Sequence, residues 1–331
     1  MKPLAESKIL VTGAGGFIGS HLAEKLASLS PGVTALIHYD SRPHWGNLEY
    51  APGGVKRSLN VEAGDITDPH FMRHIVQDKD IVFHLAALIA IPYSYVAPSA
   101  YFHTNVLGTL NLLEACRREN VARLICTSTS ECYGTALTVP ISEEHPLQAQ
   151  SPYSASKIGA DKAVESYYRS FDLPVVTIRP FNTYGARQSA RAIIPTIVTQ
   201  ALSDSHTIRL GSLTPKRDLT YVSDTVDGFI AAAEAGGIEG ETINLGVGST
   251  ISIGGLAEKI IQLTGVQKEI VCDQNRIRPE KSEVMHLISD NRKARDLMNW
   301  SPKIDLDAGL AKVIEFIQAN PDFYKADQYT L

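Results

Sequence analysis

Between a β-branched run and an amphipathic stretch stands Lys8-Ile-Leu-Val-Thr-Gly-Ala-Gly-Gly-Phe-Ile-Gly19. This order predicts a buried strand, a glycine-rich turn and a helix over residues 20–29. Gly13 permits a tight turn, Gly16 lets backbone amides approach a pyrophosphate, and Gly19 lets helix and strand pack closely. A simple strand-to-helix turn is the alternative, but the flanking strand and helix favour a dinucleotide-binding loop.

Strands and helices alternate through the first half of the chain. Helical spacing of apolar residues, as at Val106, Leu110 and Leu113, separates the runs rich in β-branched residues. Such alternation is typical of an α/β protein with a Rossmann-type, doubly wound parallel sheet. The predicted buried strands cover residues 8–12, 33–39, 81–85, 123–127 and 175–179.

The alternation breaks after Arg179, where prolines punctuate segments rich in Arg, Thr and Ser. A further strand-like run follows at residues 242–245. We therefore predict two units woven from separate segments. The dinucleotide-binding domain would take residues 1–180 and 217–245, and a smaller α/β substrate-binding lobe residues 181–216 and 246–331.

The composition is that of a globular protein. The chain has 331 residues, 44% of them hydrophobic, and a formal net charge of -5, which favours neither nucleic acid nor an anionic membrane as a partner. The sequence has no run of about 18 apolar residues, the length that would predict a membrane span. The first ten residues lack a signal-peptide pattern, so we expect a cytoplasmic protein. The four cysteines lack CxxC spacing, which argues against a metal site or a disulfide framework.

A second motif, Tyr153-Ser-Ala-Ser-Lys157, opens a predicted helix, and its spacing puts the phenol and the ammonium on one face. It follows the strand 123–127, and the carboxyl ends of parallel strands are where such folds bind ligands. An alcohol gives up hydride readily only when its proton leaves too. Tyr153, with its phenolate favoured by Lys157, is therefore the predicted base. The alternative is an exposed tyrosine with a solvated lysine.

The cofactor prediction depends on the end of the second strand. There Asp40 could accept hydrogen bonds from the ribose hydroxyls of an adenosine and repel a 2'-phosphate, which favours NAD over NADP. Arg42 could instead hold a phosphate, and Asp40 could be an ordinary exposed turn residue. The residues predicted to contact NAD are Gly13, Gly16, Phe17, Ile18, Gly19, Asp40, Asp65, Ile66, Leu85, Ala86, Ala87, Tyr153 and Lys157.

From Lys8 to about Arg295 the chain resembles the nucleotide-sugar branch of the extended short-chain dehydrogenase/reductases. The motifs that carry the resemblance are Gly13-Ala-Gly-Gly-Phe-Ile-Gly19, Gly64-Asp-Ile-Thr-Asp68, His84-Leu-Ala-Ala87, Asn105-Val-Leu-Gly-Thr109, Tyr153-Ser-Ala-Ser-Lys157, Arg179-Pro-Phe-Asn-Thr-Tyr-Gly185 and Lys216-Arg-Asp-Leu-Thr-Tyr-Val-Ser-Asp224. The resemblance implies a homodimer that pairs through the helices after Asn105 and Tyr153.

Three further stretches look like the NAD-dependent 4,6-dehydratases of legionaminic-acid-type pathways, which act on nucleotide-linked N-acetylglucosamine. They are Ala86-Ala-Leu-Ile-Ala-Ile-Pro-Tyr-Ser-Tyr95, Gln188-Ser-Ala-Arg-Ala-Ile-Ile-Pro195 and Arg278-Pro-Glu-Lys-Ser-Glu-Val284. This resemblance implies a UDP- or GDP-linked substrate, with UDP favoured, and a 4-keto-6-deoxy product. It also implies oxidation at C4, removal of the C5 proton by Glu131, loss of water across C5–C6 and return of hydride to C6.

The residues expected to bind this substrate lie in the lobe segments. Arginines suit a diphosphate because their guanidinium groups make bidentate contacts, although each could also be a solvated surface charge. The resemblance adds an asparagine for the sugar or phosphate. The expected substrate-binding residues are Asn182, Arg187, Arg191, Arg217 and Arg278.

One residue departs from the dehydratase pattern. Related hexose 4,6-dehydratases typically have Thr-Asp-Glu, whose Asp protonates the leaving hydroxyl, whereas this chain has Thr129-Ser130-Glu131. Serine is too weak an acid for that step, so Glu131 would carry the C5 proton to the C6 oxygen while Ser130 orients it. With Tyr153 and Lys157, these three are the predicted catalytic residues.

Three other enzyme activities and one non-enzyme function compete with the dehydratase. UDP-glucuronate decarboxylases share the Thr-Ser-Glu triplet and need no acid at that point, so decarboxylation is the main alternative. A 4-epimerase would leave Glu131 without a task, and it ranks third with a 5,6-dehydratase. A cofactor-sensing binding protein on the same fold would not need the intact Tyr153, Lys157 and Glu131.

Overall fold

The structure is a computed structural model that describes residues 2–277 and 279–324. Its strands are β1 (Ile9–Thr12), β2 (Val33–His38), β3 (Asn60–Gly64), β4 (Ile81–His84), β5 (Arg123–Thr127), β6 (Val175–Pro180), β7 (Asn182–Tyr184), β8 (Thr207–Leu210), β9 (Lys216–Arg217), β10 (Leu219–Tyr221), β11 (Thr242–Leu245), β12 (Ile251–Ser252) and β13 (Glu269–Cys272). Seven of them form one sheet in the order β3-β2-β1-β4-β5-β6-β11, with every neighbouring pair parallel.

Helices cover both faces of this sheet. They are α1 (Phe17–Ala27), α2 (Gly53–Ser58), α3 (Pro69–Val76), α4 (Ile91–Val96), α5 (Pro98–Tyr101), α6 (Gly108–Arg118), α7 (Pro152–Phe171), α8 (Ile193–Leu202), α9 (Val222–Glu234), α10 (Ile253–Thr264), α11 (Arg292–Met298) and α12 (Leu306–Ala319). A π-helical segment, Phe102–Leu107, joins α5 to α6. Within the described residues no helix is long and apolar enough to cross a membrane.

Alternate side chains of β1 show why two layers of helices form. Val11 packs in a core with Leu22 of α1 and Phe229 of α9, whereas its neighbour Leu10 packs with Leu112 of α6 on the other side. Successive residues of a strand point to opposite faces, so a strand buried on both faces is apolar throughout. The predicted Rossmann-type doubly wound sheet is therefore confirmed.

A second set of elements forms a lobe beside the main sheet. It contains three two-stranded sheets, which pair β7 with β10, β9 with β12 and β8 with β13, and the helices α8, α10 and α12 pack against one another. The strand β10 lies within residues 217–245, which were predicted to belong to the dinucleotide domain. It instead pairs with β7, whose residues 182–184 fall in the predicted lobe.

Candidate active site

The order of the strands reverses between β1 and β4, and the turns after these two strands lie side by side. Thr12 ends β1, and its hydroxyl accepts hydrogen bonds from the backbone amides of Leu85 and Ala86, each at 3.1 Å. Ala87 follows in the same turn. Open α/β sheets bind their ligands at the carboxyl ends of the strands at such a switch point, so the predicted cofactor residues of both turns meet there.

The glycine turn has no room for side chains. Gly13 has a φ of +70°, and a Cβ there would lie 2.7 Å from the backbone nitrogen of Ala86. A Cβ on Gly19 would collide with the Gly13 carbonyl oxygen. Gly16 caps α1, whose first residues, Phe17 and Ile18, are half-buried. The amides of this first turn face the open end of the helix, a cradle that fits a dinucleotide pyrophosphate.

Asp40 lies two residues beyond β2 and is exposed. Arg42 Nη2 lies 2.7 Å from its Oδ2. Hydrogen bonds from the side chain and the backbone of Arg42 lower the pKa of Asp40 to about 2. The carboxylate suited to ribose hydroxyls and the guanidinium suited to a phosphate therefore form one ion pair. Asp40 and Arg42, which the sequence offers as alternative contacts for the adenosine end of a cofactor, therefore contact each other.

Asp65 follows β3 and is half-exposed. Burial acts to raise its pKa, but hydrogen bonds outweigh that effect and lower it, because Oδ1 accepts from the backbone amide and the hydroxyl of Thr67, both at 2.8 Å. The next residue, Ile66, is buried over Gly108 at the start of α6. This pair thus forms a rigid wall beside the end of β2, since β2 and β3 are neighbours.

The predicted catalytic triplet forms a tight turn after β5. The Thr129 hydroxyl accepts a hydrogen bond from the Glu131 amide at 3.2 Å and so caps a short 3-10 helix, Ser130–Tyr133. Ser130 is buried, whereas Glu131 is half-buried. Across residues 2–277 and 279–324 the Glu131 carboxylate makes no hydrogen bond or ion pair. It is therefore available to take a proton from a ligand.

The other two catalytic residues lie in the first turns of α7. Ser151 caps this helix by accepting a hydrogen bond from the Ser154 amide at 3.1 Å, and Pro152 occupies the first helical position. The cap fixes where Tyr153 and Lys157 fall on the helix surface. Lys157 is buried, and its Nζ donates to the Thr127 carbonyl at 2.7 Å, so the ammonium is anchored to the end of β5.

Tyr153 connects the helix to the triplet. Its side chain is buried against Tyr101, with 6.2 Å between ring centroids in an edge-on arrangement. Burial raises its pKa well above the ordinary value, a hydrogen bond with the Thr129 side chain opposes this, and the nearby charge of Glu131 adds to it. The structure therefore brings Thr129, Glu131 and Tyr153 together, as the sequence predicts.

A buried histidine, His84, connects the ends of β1 and β4 to α6. The sequence shows it only as part of the motif His84-Leu-Ala-Ala87, with no predicted role of its own. His84 Nδ1 lies 2.9 Å from the Thr12 hydroxyl, and Nε2 lies 3.0 Å from the Thr109 hydroxyl. Burial, with a smaller contribution from the Lys157 charge, lowers the pKa of His84 to about 3. His84 is therefore a neutral hydrogen-bonding bridge between β1, β4 and α6.

Asn105 extends this bridge towards α7. Its side-chain amide accepts from the backbone nitrogen of Leu88 at 2.8 Å, donates to the Leu88 carbonyl at 2.9 Å, and donates to the Ser156 hydroxyl at 2.9 Å. Ser156 in turn donates to the Tyr153 carbonyl at 2.7 Å. Asn105 lies in the π-helical segment, and such bulges often occur at functional sites. The bulge was not foreseen from sequence.

The residues expected to bind the substrate are more dispersed. Asn182 begins β7, and its side-chain oxygen is buried and accepts no hydrogen bond from the described residues. Arg191 is exposed; burial raises the pKa of the Tyr101 phenol, and the nearby charge of Arg191 opposes that rise without cancelling it. Asn182 and Arg191 are thus polar groups from the segments after β6, and the charge of Arg191 lies near Tyr101, which packs against Tyr153.

Two other arginines of the expected substrate-binding set form hydrogen bonds with acidic side chains of this chain. Arg187 is buried, and its Nη2 donates to Glu24 of α1 at 2.9 Å, so it joins the lobe segment to the dinucleotide domain. Arg217 is also buried, and its Nη2 donates to Glu283 at 2.9 Å. Arg278 lies outside the described residues. Within the described residues, Arg187 and Arg217 thus contact acidic side chains of two different segments.

The chain is similar to known proteins over most of its length. Residues 10–313 match the family described as GDP-mannose 4,6 dehydratase. The dTDP-D-glucose 4,6-dehydratase of Mus musculus is 31% identical over 95% of this chain and 89% of its own length. The solved dTDP-glucose 4,6-dehydratase DesIV of Streptomyces venezuelae, with NAD bound, is 29% identical over 96% of this chain and 98% of that one, with a TM-score of 0.84.

A solved epimerase is similar to the same extent. The UDP-N-acetylglucosamine 4-epimerase of Methanobrevibacter ruminantium is 27% identical, covers 97% of this chain and 100% of that one, and has a TM-score of 0.85. NAD, the cofactor predicted from the glycine turn, is thus the one held by a solved relative. The fold, the glycine cradle and these matches together show that the chain belongs to the GDP-mannose 4,6-dehydratase family of extended short-chain dehydrogenase/reductases.

Proposed function

We propose that the chain is a nucleotide-sugar 4,6-dehydratase that converts an NDP-N-acetylglucosamine, UDP-linked in preference to GDP-linked, into its 4-keto-6-deoxy derivative. The observation that carries this proposal is the unpaired Glu131 carboxylate beside Tyr153. Oxidation at C4 requires only one base, so a second, available carboxylate next to it supports a second proton transfer. The 2-acetamido sugar follows from the stretches 86–95, 188–195 and 278–284.

The glycine turn fits NAD, which Gly13, Gly16 and Gly19 would hold by its pyrophosphate, with Asp40 and Asp65 towards its adenosine. NAD, when bound, accepts a hydride from the sugar and later returns it. The ion pair of Asp40 with Arg42 would open if Asp40 received the ribose hydroxyls. The carboxylates at this rim favour NAD over NADP because a 2'-phosphate would meet negative charge.

Tyr153 would take the proton of the C4 hydroxyl. Burial raises its pKa, so the phenol needs a cation to ionise, and Lys157 stands one helical turn away on α7. The hydrogen bond with Thr129 also favours the phenolate. These residues thereby couple the departure of the proton to the oxidation of C4.

Glu131 would act in the next step. The C4 ketone acidifies the hydrogen on C5, Glu131 removes that proton and delivers it to the C6 oxygen, and the C6–O bond breaks to release water. A proton then returns to C5 from solvent, and C6 receives the hydride that was removed from C4, so the net change is the loss of one water. Ser130 is buried next to Glu131 and would orient the departing hydroxyl without ionising.

The lobe and a second subunit complete the proposal. Arg191, Arg217 and Arg278 would contact the diphosphate and Asn182 the sugar or phosphate, while the contact of Arg187 with Glu24 favours a role in holding the lobe to α1. We also propose a homodimer paired through α6 and α7. Exposed apolar side chains on the helical stretch 98–118 support this interface.

Decarboxylation of UDP-glucuronate is the second candidate, because Ser130 stands where a proton donor for water loss would be expected.

A substrate panel separates the candidates. UDP-N-acetylglucosamine, GDP-N-acetylglucosamine and UDP-glucuronate are each incubated with the NAD-loaded protein, and product masses are recorded. We expect loss of one water from the UDP-N-acetylglucosamine reaction. Loss of carbon dioxide from UDP-glucuronate would favour the decarboxylase, and an isomer of unchanged mass an epimerase; either alone would overturn the proposal.

A further inference from the structure

The turn Ser128–Tyr133, here called the catalytic turn, is anchored at its first residue by a buried carboxylate. Ser128 Oγ donates a hydrogen bond of 2.7 Å to Asp161 Oδ2. Asp161 lies on α7, two helical turns after Tyr153, and only 9% of its surface is exposed. The start of the catalytic turn is therefore tied to the same helix that carries the phenol.

The last residue of the catalytic turn is anchored by a second set of contacts. The Tyr133 hydroxyl accepts from Arg179 Nη1 at 3.0 Å and donates to Asn244 Oδ1 at 2.7 Å. Tyr133 is fully buried, and the Arg179 guanidinium lies 4.9 Å from its ring centroid. Arg179 comes from β6 and Asn244 from β11, so this end of the turn is fixed to the two strands beyond β5.

One guanidinium joins the two anchors. Arg179 Nε and Nη2 both donate to Asp161 Oδ2, at 3.2 and 2.8 Å, while Nη1 reaches Tyr133. The side chains of this ion pair are 6% and 9% exposed. Replacing a buried ion pair by apolar residues often leaves the stability of a protein unchanged or increases it. The Arg179–Asp161 pair is therefore better explained by the fixed directions of its hydrogen bonds than by a contribution to folding stability. Its donors lock both ends of a six-residue turn to one rigid group.

The position of the Glu131 carboxylate depends on this anchoring, because no side chain of the described residues holds the carboxylate directly. Its backbone is tied within the turn, through its amide to Thr129 and through its carbonyl to the Gly134 amide at 3.3 Å. Its carboxylate makes no hydrogen bond or ion pair to another residue of the described chain. Tyr153 shares a hydrogen bond with Thr129 of the turn, but α7 fixes its backbone and packing on Tyr101 fixes its ring. Loosening the turn should therefore displace the carboxylate more than the phenol.

We propose that Asp161, Arg179 and Tyr133 are positioning residues for Glu131, and that they set the rate of the elimination step separately from C4 oxidation. This inference rests on the proposed function. It predicts a specific kinetic signature. A variant with a loosened catalytic turn oxidises C4 but stalls before water is lost, so reduced cofactor accumulates.

The test uses Tyr133→Phe, which keeps the ring in the core and removes both hydrogen bonds at the far end of the turn. We expect the single-turnover rate of C4 oxidation and the KM to stay within about threefold of wild type, and water loss to slow by at least tenfold. We also expect faster amide hydrogen exchange in the peptide 129–134. The matched control is Tyr184→Phe, which removes a buried hydroxyl 3.4 Å from the Leu306 carbonyl in the lobe.

The outcomes separate this inference from the proposed function. A wild-type protein that releases no water from any sugar nucleotide refutes the proposed function. A dehydrating wild type with a Tyr133→Phe variant that loses oxidation and elimination equally, or neither, refutes the positioning role. If Tyr133→Phe does not fold, Ser128→Ala removes the anchor at the other end, and the same partition between oxidation and water loss decides the question.

Discussion

At the residue scale, Tyr153 and Glu131 are neighbours that are held by different parts of the molecule. Tyr153 is buried on a capped helix, whereas Glu131 projects from a tight turn with an unpaired carboxylate. Burial keeps the phenol protonated until a cation and a substrate hydroxyl are present. The two proton transfers should therefore respond differently to substitution.

Glu131→Gln should stop the reaction after C4 oxidation. The amide keeps the shape of the side chain but cannot accept the C5 proton, so water loss should slow by about 10²- to 10⁴-fold. Reduced-cofactor absorbance should then rise and persist in a single turnover, while mass spectrometry detects no dehydrated sugar.

Two variants provide the comparison. Tyr153→Phe should suppress the absorbance change itself, because the first proton has no acceptor. Glu144→Gln alters an exposed carboxylate nearby in the chain and should behave as wild type. Full turnover by Glu131→Gln would remove Glu131 from the mechanism.

The motifs single out the proposed catalytic residues but not the residues that hold them in place. Tyr153, Lys157 and the triplet stand in local patterns whose spacing has a chemical meaning. Asp161 and Arg179 are 18 positions apart and lie on a helix and a strand, and only the packing of α7 against β6 brings their charges to 2.8 Å. A sequence shows each of them as an ordinary charge.

At the element scale, the glycine turn and α1 act as one unit. The missing side chain of Gly19 lets the helix approach the Gly13 carbonyl, so Gly19→Ala must push the helix away or twist the turn. We expect NAD affinity to fall at least tenfold, about 1.4 kcal/mol, in calorimetric titration.

The control for this change is Gly236→Ala, where an added Cβ has no atom within 4 Å. Its NAD affinity and thermal midpoint should match those of wild type. An unchanged affinity in Gly19→Ala would contradict the assignment of this turn to the cofactor.

The strand ends are tied together by His84, which makes stability depend on pH. Burial lowers the pKa of His84 from 6.5 to about 3, so the folded state favours the neutral ring. Its contribution is complete above about pH 6.5 and is lost as the pH falls from 6.5 towards 3, because the unfolded chain binds the proton first. The slope from this group is at most about 1.4 kcal/mol per pH unit.

Chemical denaturation at pH 7, 6 and 5 measures this slope. We expect His84→Gln to show a shallower pH dependence than wild type, and His70→Gln, which alters an exposed histidine, to keep the wild-type slope. Identical slopes in all three proteins would show that His84 does not titrate on unfolding.

Six strands of the main sheet were predictable from the sequence, and the edge strand β3 was not. The predicted strands agree with β1, β2, β4, β5, β6 and β11 to within one or two residues, because strands buried on both faces are continuously apolar. The edge strand β3, Asn60–Gly64, is mostly exposed and carries Asn60 and Glu62, so it has no apolar run. Only its pairing with β2 identifies it as a strand.

At the scale of the whole molecule, the pairing of β10 with β7 joins segments that the sequence analysis assigned to different units. Prolines after Arg179 marked where the alternation ends, but no local signal showed that β10 would pair with β7. Long-range pairings of short strands depend on the packing of the whole chain.

The proposed dimer can be tested through exposed apolar residues of the helical stretch 98–118. Leu107 is 47% exposed and Leu110 38%, one turn apart. Leu107→Lys should place a charge in the interface and convert a dimer into a monomer in light-scattering measurements of mass. Leu137→Lys, at a 67% exposed loop residue, should remain dimeric. A monomeric wild type would contradict the proposed interface.

In the proposed reaction, Tyr153 and Glu131 act on one sugar at the carboxyl ends of the strands, first at C4 and then at C5. The most direct test is the reaction of UDP-N-acetylglucosamine in deuterated water, with the product analysed by mass spectrometry and NMR. We predict a 4-keto-6-deoxy sugar that has lost one water and carries one deuterium at C5. A product without deuterium at C5, or one that retains its C6 hydroxyl, would contradict the account.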